Sequence, residues 1–160
     1  MAPSDRLTHV DADGRTRMVD VSEKEVTERR ARASGEILMR PQTLRAVAAD
    51  QIVKGNVLET ARLAAIMAAK RTGDLIPLCH PLALDFVDVT FVMGAESIAV
   101  EAEARVTART GVEMEAMTAA VVALLTIYDM CKAMDRGMVI GKVSLAEKTG
   151  GRSGNYNRAE

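Results

Sequence analysis

Five short stretches of this 160-residue chain carry residue types that chemistry needs. In Leu75-Ile76-Pro77-Leu78-Cys79-His80-Pro81-Leu82, one of two histidines and one of two cysteines stand between two prolines. Each proline fixes its own φ and biases the preceding residue toward extended backbone, so Ile76 and His80 should be extended and the imidazole held at a set angle. A buried apolar turn with a hydrogen-bonded histidine fits the same residues. No base is paired with Cys79 in sequence, so its thiol reads as packing and not as a nucleophile. Asp129 and Lys132, in Tyr128-Asp129-Met130-Cys131-Lys132, are three apart and share a helix face. They interrupt an apolar stretch, which marks either charges put to use or a surface ion pair of little energetic weight. Glu113 and Glu115 suit the positive start of a helix. Lys54-Gly55, ahead of a helix capped by Asn56, fits a weak anion site, and Lys148 with Gly150 and Gly151 fits either a phosphate nest or a flexible tail.

The spacing of these groups constrains them. Thr110-Gly111-Val112-Glu113 has the threonine-to-glutamate spacing of a capping box and predicts a helix running to about Met134. Glu113 and Lys132 on one such helix are roughly 28 Å apart at 1.5 Å per residue. If both serve one small molecule, the site must be shared between subunits. That helix is apolar nearly all round, which points to burial on more than one side and to a subunit interface.

The elements that must position these residues follow from periodicity. Residues 1–34 are mixed in charge and short of large apolar side chains, which predicts an arm or mobile loop, with a short extended piece at Val19 and Val21. A single folded domain over 35–147 follows, then a glycine-rich basic tail over 148–160. Glu36 to Arg40 reads as a buried strand, Gln42 to Ile52 and Val57 to Arg71 as helices, and Phe86 to Val92 and Ser97 to Ala108 as strands joined by a hairpin. In Ser97–Ala108, Ile98, Val100, Ala102, Ala104 and Val106 alternate with Glu101, Glu103 and Arg105, a sheet with one buried and one wet face. Met138–Ile140 and Val143–Leu145 predict a last strand. The order is βαββαβ, an α+β ferredoxin-like fold with a four-stranded antiparallel sheet and helices on one face.

Composition excludes several function classes. Lys+Arg 21 against Asp+Glu 22 gives no general attraction for nucleic acid, and four aromatic residues give no stacking platform. Cys79 and Cys131 match no ligand pattern, so no metal site is expected and a reducing, cytoplasmic setting fits. The start of the chain lacks a signal peptide, and the apolar run Ala119–Leu125 is far short of a membrane span. Ten methionines read as core filler.

Taken together, Met18-Val19-Asp20-Val21-Ser22, Lys54-Gly55-Asn56-Val57, Leu75 to Leu82, Thr110 to Ala116, Tyr128 to Ala133 and Lys148-Thr149-Gly150-Gly151 closely resemble the cyclic pyranopterin monophosphate synthase family, molybdenum cofactor biosynthesis protein C. The likeness runs through nearly the whole chain in order. It implies a homohexamer, a trimer of dimers with composite active sites, acting on a GTP-derived substrate, 3′,8-cyclo-7,8-dihydro-GTP, as a lyase that releases pyrophosphate. It implies Lys54, His80, Asp129 and Lys132 as catalytic residues. Cys79, Glu113, Met114, Glu115, Arg29, Arg32 and Lys148 are implied as substrate contacts, the arginines carried to the phosphates by a mobile loop. No cofactor is required, and magnesium would come only with the triphosphate. Asn56 stands where the family more often has aspartate, and either caps a helix. A non-catalytic nucleotide-binding regulatory oligomer is the competing reading.

Overall fold

The computed structural model describes residues 9–11, 13–151 and 153–159. The expected arm before His9, and Arg152 and Glu160 of the expected tail, lie outside the described residues.

The first strand, β1 (Thr27–Leu38), starts well inside the stretch expected to be an arm. Its buried positions are Ala31, Ala33, Gly35 and Ile37, so alternation is present but carried by small residues whose apolar signal is faint. Arg29 and Arg32 are therefore strand residues and not loop residues. Val19 and Val21 belong to no strand; a bridge joins Val10 and Thr16 instead. Pro41 opens α1 (Pro41–Ala48), where its missing N–H costs nothing. Asn56 caps α2 (Val57–Ala69), its side-chain oxygen accepting from Glu59 N at 2.9 Å. One further turn, α3 (Thr72–Leu75), leads into the proline-bracketed segment, and Ile76 is extended there (φ −108°, ψ 111°).

The hairpin β2 (Phe86–Met93) and β3 (Ser97–Ala108) falls where the alternation puts it. The helix α4 (Glu113–Cys131) starts at an N-cap, Val112, that makes no side-chain bond, so the Thr110 capping box is not used and Glu113 is left free for another partner. The last long strand, β4 (Val139–Thr149), runs through Lys148 and Thr149, which belong to the sheet rather than to a tail. A two-residue strand, β5 (Tyr156–Asn157), pairs with Glu147 and Lys148. The sheet is thus antiparallel with five strands in the order β2-β3-β1-β4-β5, one more than the four expected.

Helix α4 packs across β1, β3 and β4 and against α2, which also meets β2, so both long helices lie on one face. Taken alone α4 is long and apolar enough to cross a membrane, but here it is the core helix, with Leu124 and Ile127 fully buried. Both helices bury chiefly alanine, which allows close approach. Closest contact falls at Gly35, where β1 and β4 slip register between Ser34 and Glu36 and Lys142 takes a φ of 51°. A Cβ there would sit 2.8 Å from Leu124 Cδ1 and 3.0 Å from Val143 Cγ2. Opposite the helices, Arg30, Arg32 and Arg105 interleave with Glu101, Glu103 and Glu147, with Arg30–Glu103 at 2.6 Å and Arg32–Glu147 at 2.5 Å. That is the wet face the alternation required.

Gly35→Val should therefore wedge α4 off the sheet and destabilise the fold by about 1–3 kcal/mol. A lower urea midpoint with an unchanged m-value would show it; an unchanged midpoint would mean that the contact relaxes freely.

Candidate active site

The last turn of α4 carries Asp129, and the turn between α1 and α2 carries Lys54. They meet. Lys54 Nζ donates to the Asp129 carboxylate at 2.8 Å and to its backbone carbonyl at 2.9 Å. Lys132 Nζ approaches the other carboxylate oxygen at 2.7 Å. One carboxylate thus joins two ammonium groups, and all three side chains are about half exposed. Hydrogen bonds from Lys132 and Lys54 hold the Asp129 carboxyl down at about 2, so it is ionised throughout the neutral range. Exposed pairs of this kind contribute little to stability. The arrangement leaves two cations at the surface around one carboxylate.

A second group gathers at the other end of the same helix. The backbone carbonyl of Val19 lies 2.9 Å from His80 Nε2, and because a carbonyl only accepts, that nitrogen carries the proton. Gly73 lets the segment pack closely, since a Cβ there would lie 3.1 Å from Pro81 Cα. A cavity of about 280 Å³ opens beside the ring, lined by Cys79, His80, Glu113, Met114 and Glu115 among others. Burial, and then Glu115, push the Cys79 thiol up, away from the nucleophilic form. Burial, and then the Glu113 charge, push the Glu115 carboxyl up to about 7. It is 3% exposed.

A larger recess of about 940 Å³ adjoins this cavity, sharing Lys24, Thr110, Gly111 and Glu113 with it. Lys24, Arg29, Arg30, Arg109 and Lys148 supply its cations. Lys148 Nζ pairs with Glu113 at 3.1 Å and donates to Ser153 Oγ at 2.7 Å. Gly150 and Gly151 take φ of 90° and 83° and press on β1: a Cβ on Gly150 would meet the Glu28 carbonyl at 2.5 Å. Thr27 Oγ1, Arg29 Nε and Arg30 Nε are buried without a hydrogen-bond partner.

Of the residues singled out from sequence, Lys54, Asp129 and Lys132 come together at one end of α4. Cys79, His80, Glu113, Met114, Glu115, Lys148 and Arg29 come together at the other. Lys54 does not share a site with His80 in one chain, because ~20 Å of helix separates their surroundings. Arg32 lies on the charged face of the sheet, bonded to Glu147 and Glu101, while Arg29 follows the parity of buried Ala31 and Ala33. Sequence reasoning passed over Arg109 and Lys24 in the recess and the buried Asp135. The first two look like any surface cation, and Asp135 in Asp135-Arg136-Gly137 looks like an ordinary turn. Among the described residues no group of three or more His, Cys, Asp or Glu side chains is set to hold a metal ion.

The arrangement offers an anion site at each end of α4, with a bridged carboxylate at one and a neutral-prone carboxyl beside an imidazole at the other. Known proteins share the sequence behind it. Residues 18–151 match the MoaC family. Cyclic pyranopterin monophosphate synthase of Heliobacterium modesticaldum is 60% identical over 158 residues, covering 98% of this chain and 99% of that protein. The synthase of Novosphingobium aromaticivorans is 60% identical over 154 residues (96% and 98% covered). Cyclic pyranopterin monophosphate synthase 3 of Mycobacterium tuberculosis (strain ATCC 25618 / H37Rv) is 58% identical over 153 residues (95% and 86% covered).

The Glu115 shift has a sign that can be tested. Between its ordinary value of 4.5 and about 7 the folded chain binds more protons at this carboxyl than the unfolded chain, so stability falls as pH rises through that window. Glu115→Gln should remove that dependence, worth ~3 kcal/mol between pH ~5 and ~8. Denaturation midpoints of the two proteins at those pH values decide it; parallel losses would mean that Glu115 titrates normally.

Proposed function

The chain belongs to the MoaC family and is an enzyme of molybdenum cofactor biosynthesis, and from that premise we propose how its residues act. The reaction converts 3′,8-cyclo-7,8-dihydro-GTP to cyclic pyranopterin monophosphate and releases pyrophosphate, which makes the enzyme a phosphorus–oxygen lyase. The observation that carries the reading is the Asp129 carboxylate joined to Lys54 and Lys132 at 2.8 and 2.7 Å. A sugar-derived oxygen attacks the α-phosphorus, the bond to the β-phosphate oxygen breaks, and the charge growing on pyrophosphate is met by fixed cations. Rearranging the purine to a pterin requires proton transfers, for which carboxylates and imidazole are the usual agents.

Asp129 at about 2 is a poor base while both lysines hold it. Substrate oxygens that draw a lysine away release the carboxylate toward its ordinary basicity, so binding itself switches the base on, with Lys132 as the acid partner. At the other end Glu115 and His80 face the base and sugar portion, with Cys79 and Met114 as packing. Arg29 and Lys148 hold phosphate oxygens. Arg32 supports this only as part of the sheet-face network. A magnesium ion would arrive on the triphosphate; no redox cofactor takes part.

The two ends of α4 address one substrate only if they come from different subunits. The ferredoxin-like subunit, four main strands with β5 added, has a surface for that purpose: Leu63 and Met67 on α2 and Val121 and Leu125 on α4 are exposed apolar side chains. A homohexamer built as a trimer of dimers in the cytoplasm fits this reading, with one subunit's Lys54, Asp129 and Lys132 meeting a neighbour's His80, Glu113 and Glu115.

Anaerobic turnover of the cyclic dihydro-GTP substrate should yield pyrophosphate and the pterin product in equal amounts; tight binding with neither product would leave only a regulatory nucleotide binder. Asp129→Asn should keep affinity and lose at least about a hundredfold in rate. Mixing inactive Lys132→Ala and His80→Ala chains at equal ratio should restore roughly a quarter of the sites, since each defect then falls on a separate subunit. A Lys54→Ala and Lys132→Ala mixture should stay inactive. Recovery in that second mixture would overturn the division of the site.

A further inference from the structure

Asp135 is a buried charge that the proposed reaction does not use. Its carboxylate is 4% exposed, against 55% for Asp129, yet it lies only six residues beyond it, in the turn that follows α4. One of its oxygens accepts from the backbone N–H of Arg40 at 2.8 Å and from Thr43 Oγ1 at 3.4 Å. The other accepts from Gly137 N at 3.1 Å and pairs with Arg40 Nε at 3.3 Å. Its own N–H donates to the Cys131 carbonyl at 3.1 Å and closes the end of α4.

These bonds tie two elements that are 95 residues apart in sequence. Helix α1 lacks any acidic residue in its first turn, and its N-cap residue, Arg40, makes no side-chain cap. Asp135 supplies both the acceptor and the negative charge that this helix start lacks. Helix α1 then runs to the turn that bears Lys54, and Lys54 reaches back to Asp129 on α4. The circuit is closed: α4 to Asp135, to α1, to Lys54, and back to α4. Of its polar links, the Lys54–Asp129 contact is exposed and weak, and the Asp135 contact is buried and fully bonded, with the Arg40 guanidinium also donating to the Met134 carbonyl.

We propose that Asp135 is a positioning residue, a buried clamp between the end of α4 and the start of α1 that fixes how Lys54, Asp129 and Lys132 stand relative to one another. The exposed lysines do not hold their own geometry; it is imposed from beneath. The groups around the clamp are Arg40 from the β1–α1 junction, Thr43 on α1 and Cys131 on α4, and Cys131 also feels the charge of Lys54. Asp135 touches no substrate in this scheme, and the proposal rests on the proposed reaction only for its kinetic readout.

The test uses the full chain with Asp135→Asn, which keeps the shape but loses the charge. Trace labelling with acetic anhydride, read by mass spectrometry, reports on each lysine without any turnover. Lys54 should label about two- to fivefold faster once released from its acceptors, while Lys142, paired with Glu36 on the sheet, should keep its rate. In the turnover assay kcat should fall about tenfold or more with KM within about threefold, because the cations remain but stand wrongly. A folded variant with Lys54 labelling as before, or with activity lost only in proportion to folded protein, overturns the clamp. Should Asp135→Asn fail to fold, Arg40→Met removes the guanidinium partner and leaves the carboxylate in place. It must raise Lys54 labelling as well, and an unchanged rate there is equally fatal. If the unsubstituted chain shows no turnover, the proposed reaction falls, and the labelling still decides the role of Asp135.

Discussion

The rigid length of α4 is the constraint on which the rest of the structure depends. Nineteen residues without glycine or proline, packed over β1, β3 and β4, make a rod whose two ends carry different charged groups. Carboxylates stand at the start, Glu113 and Glu115, and ammonium groups stand around the end, Lys54 and Lys132. Both placements agree with the helix dipole. The fold therefore separates the Glu113 and Glu115 carboxyls from the Lys54 and Lys132 ammonium groups by ~20 Å of helix. Alanine is what lets the rod sit so deep: the helices approach the sheet and each other at Ala61, Ala65, Ala119, Ala120 and Ala123, all fully buried.

Burial and function are distributed in opposite ways around this rod. Side chains that carry charge toward a ligand are half exposed and bonded to one another, whereas those that fix backbone geometry are hidden. Gly35 sets the depth of α4, and Gly150 and Gly151 set the approach of the β4 terminus to Arg29. On the far face of the sheet, the arginine–glutamate network occupies the side chains of β1, β3 and β4 with each other. That explains why Arg32, the same residue type as Arg29 and three positions on, has different neighbours: strand parity sends them to opposite faces.

Much of this was legible in the sequence, and the exceptions have physical causes. The β2–β3 hairpin and α2 stood out because their alternation, periodicity and caps are carried by residues with strong preferences, Asn56 among them. The separation of Glu113 from Lys132 followed from helix rise alone. Strand β1 extends beyond its sequence signal because its core positions are Ala31, Ala33 and Gly35, which carry little hydrophobic signal, while its arginines resemble a solvated arm. Strand β4 was cut short because glycines at 150 and 151 suggested a loose tail, when their positive φ values instead fit them against β1. The Thr110 box failed because Lys148, distant in sequence, takes Glu113. Which cations cluster is a tertiary fact, and so the pairing of Lys54 with Asp129 was beyond any local pattern.

The bond between His80 and Val19 has a consequence for how the ring can answer a change of proton load. Nε2–H donates to the Val19 carbonyl whether the imidazole is neutral or cationic, so gaining a proton does not unfasten it. Only Nδ1 alternates between acceptor and donor. The ring is hinged at one nitrogen and open at the other, and that single bond ties the early chain around Val19 to the proline-bracketed segment.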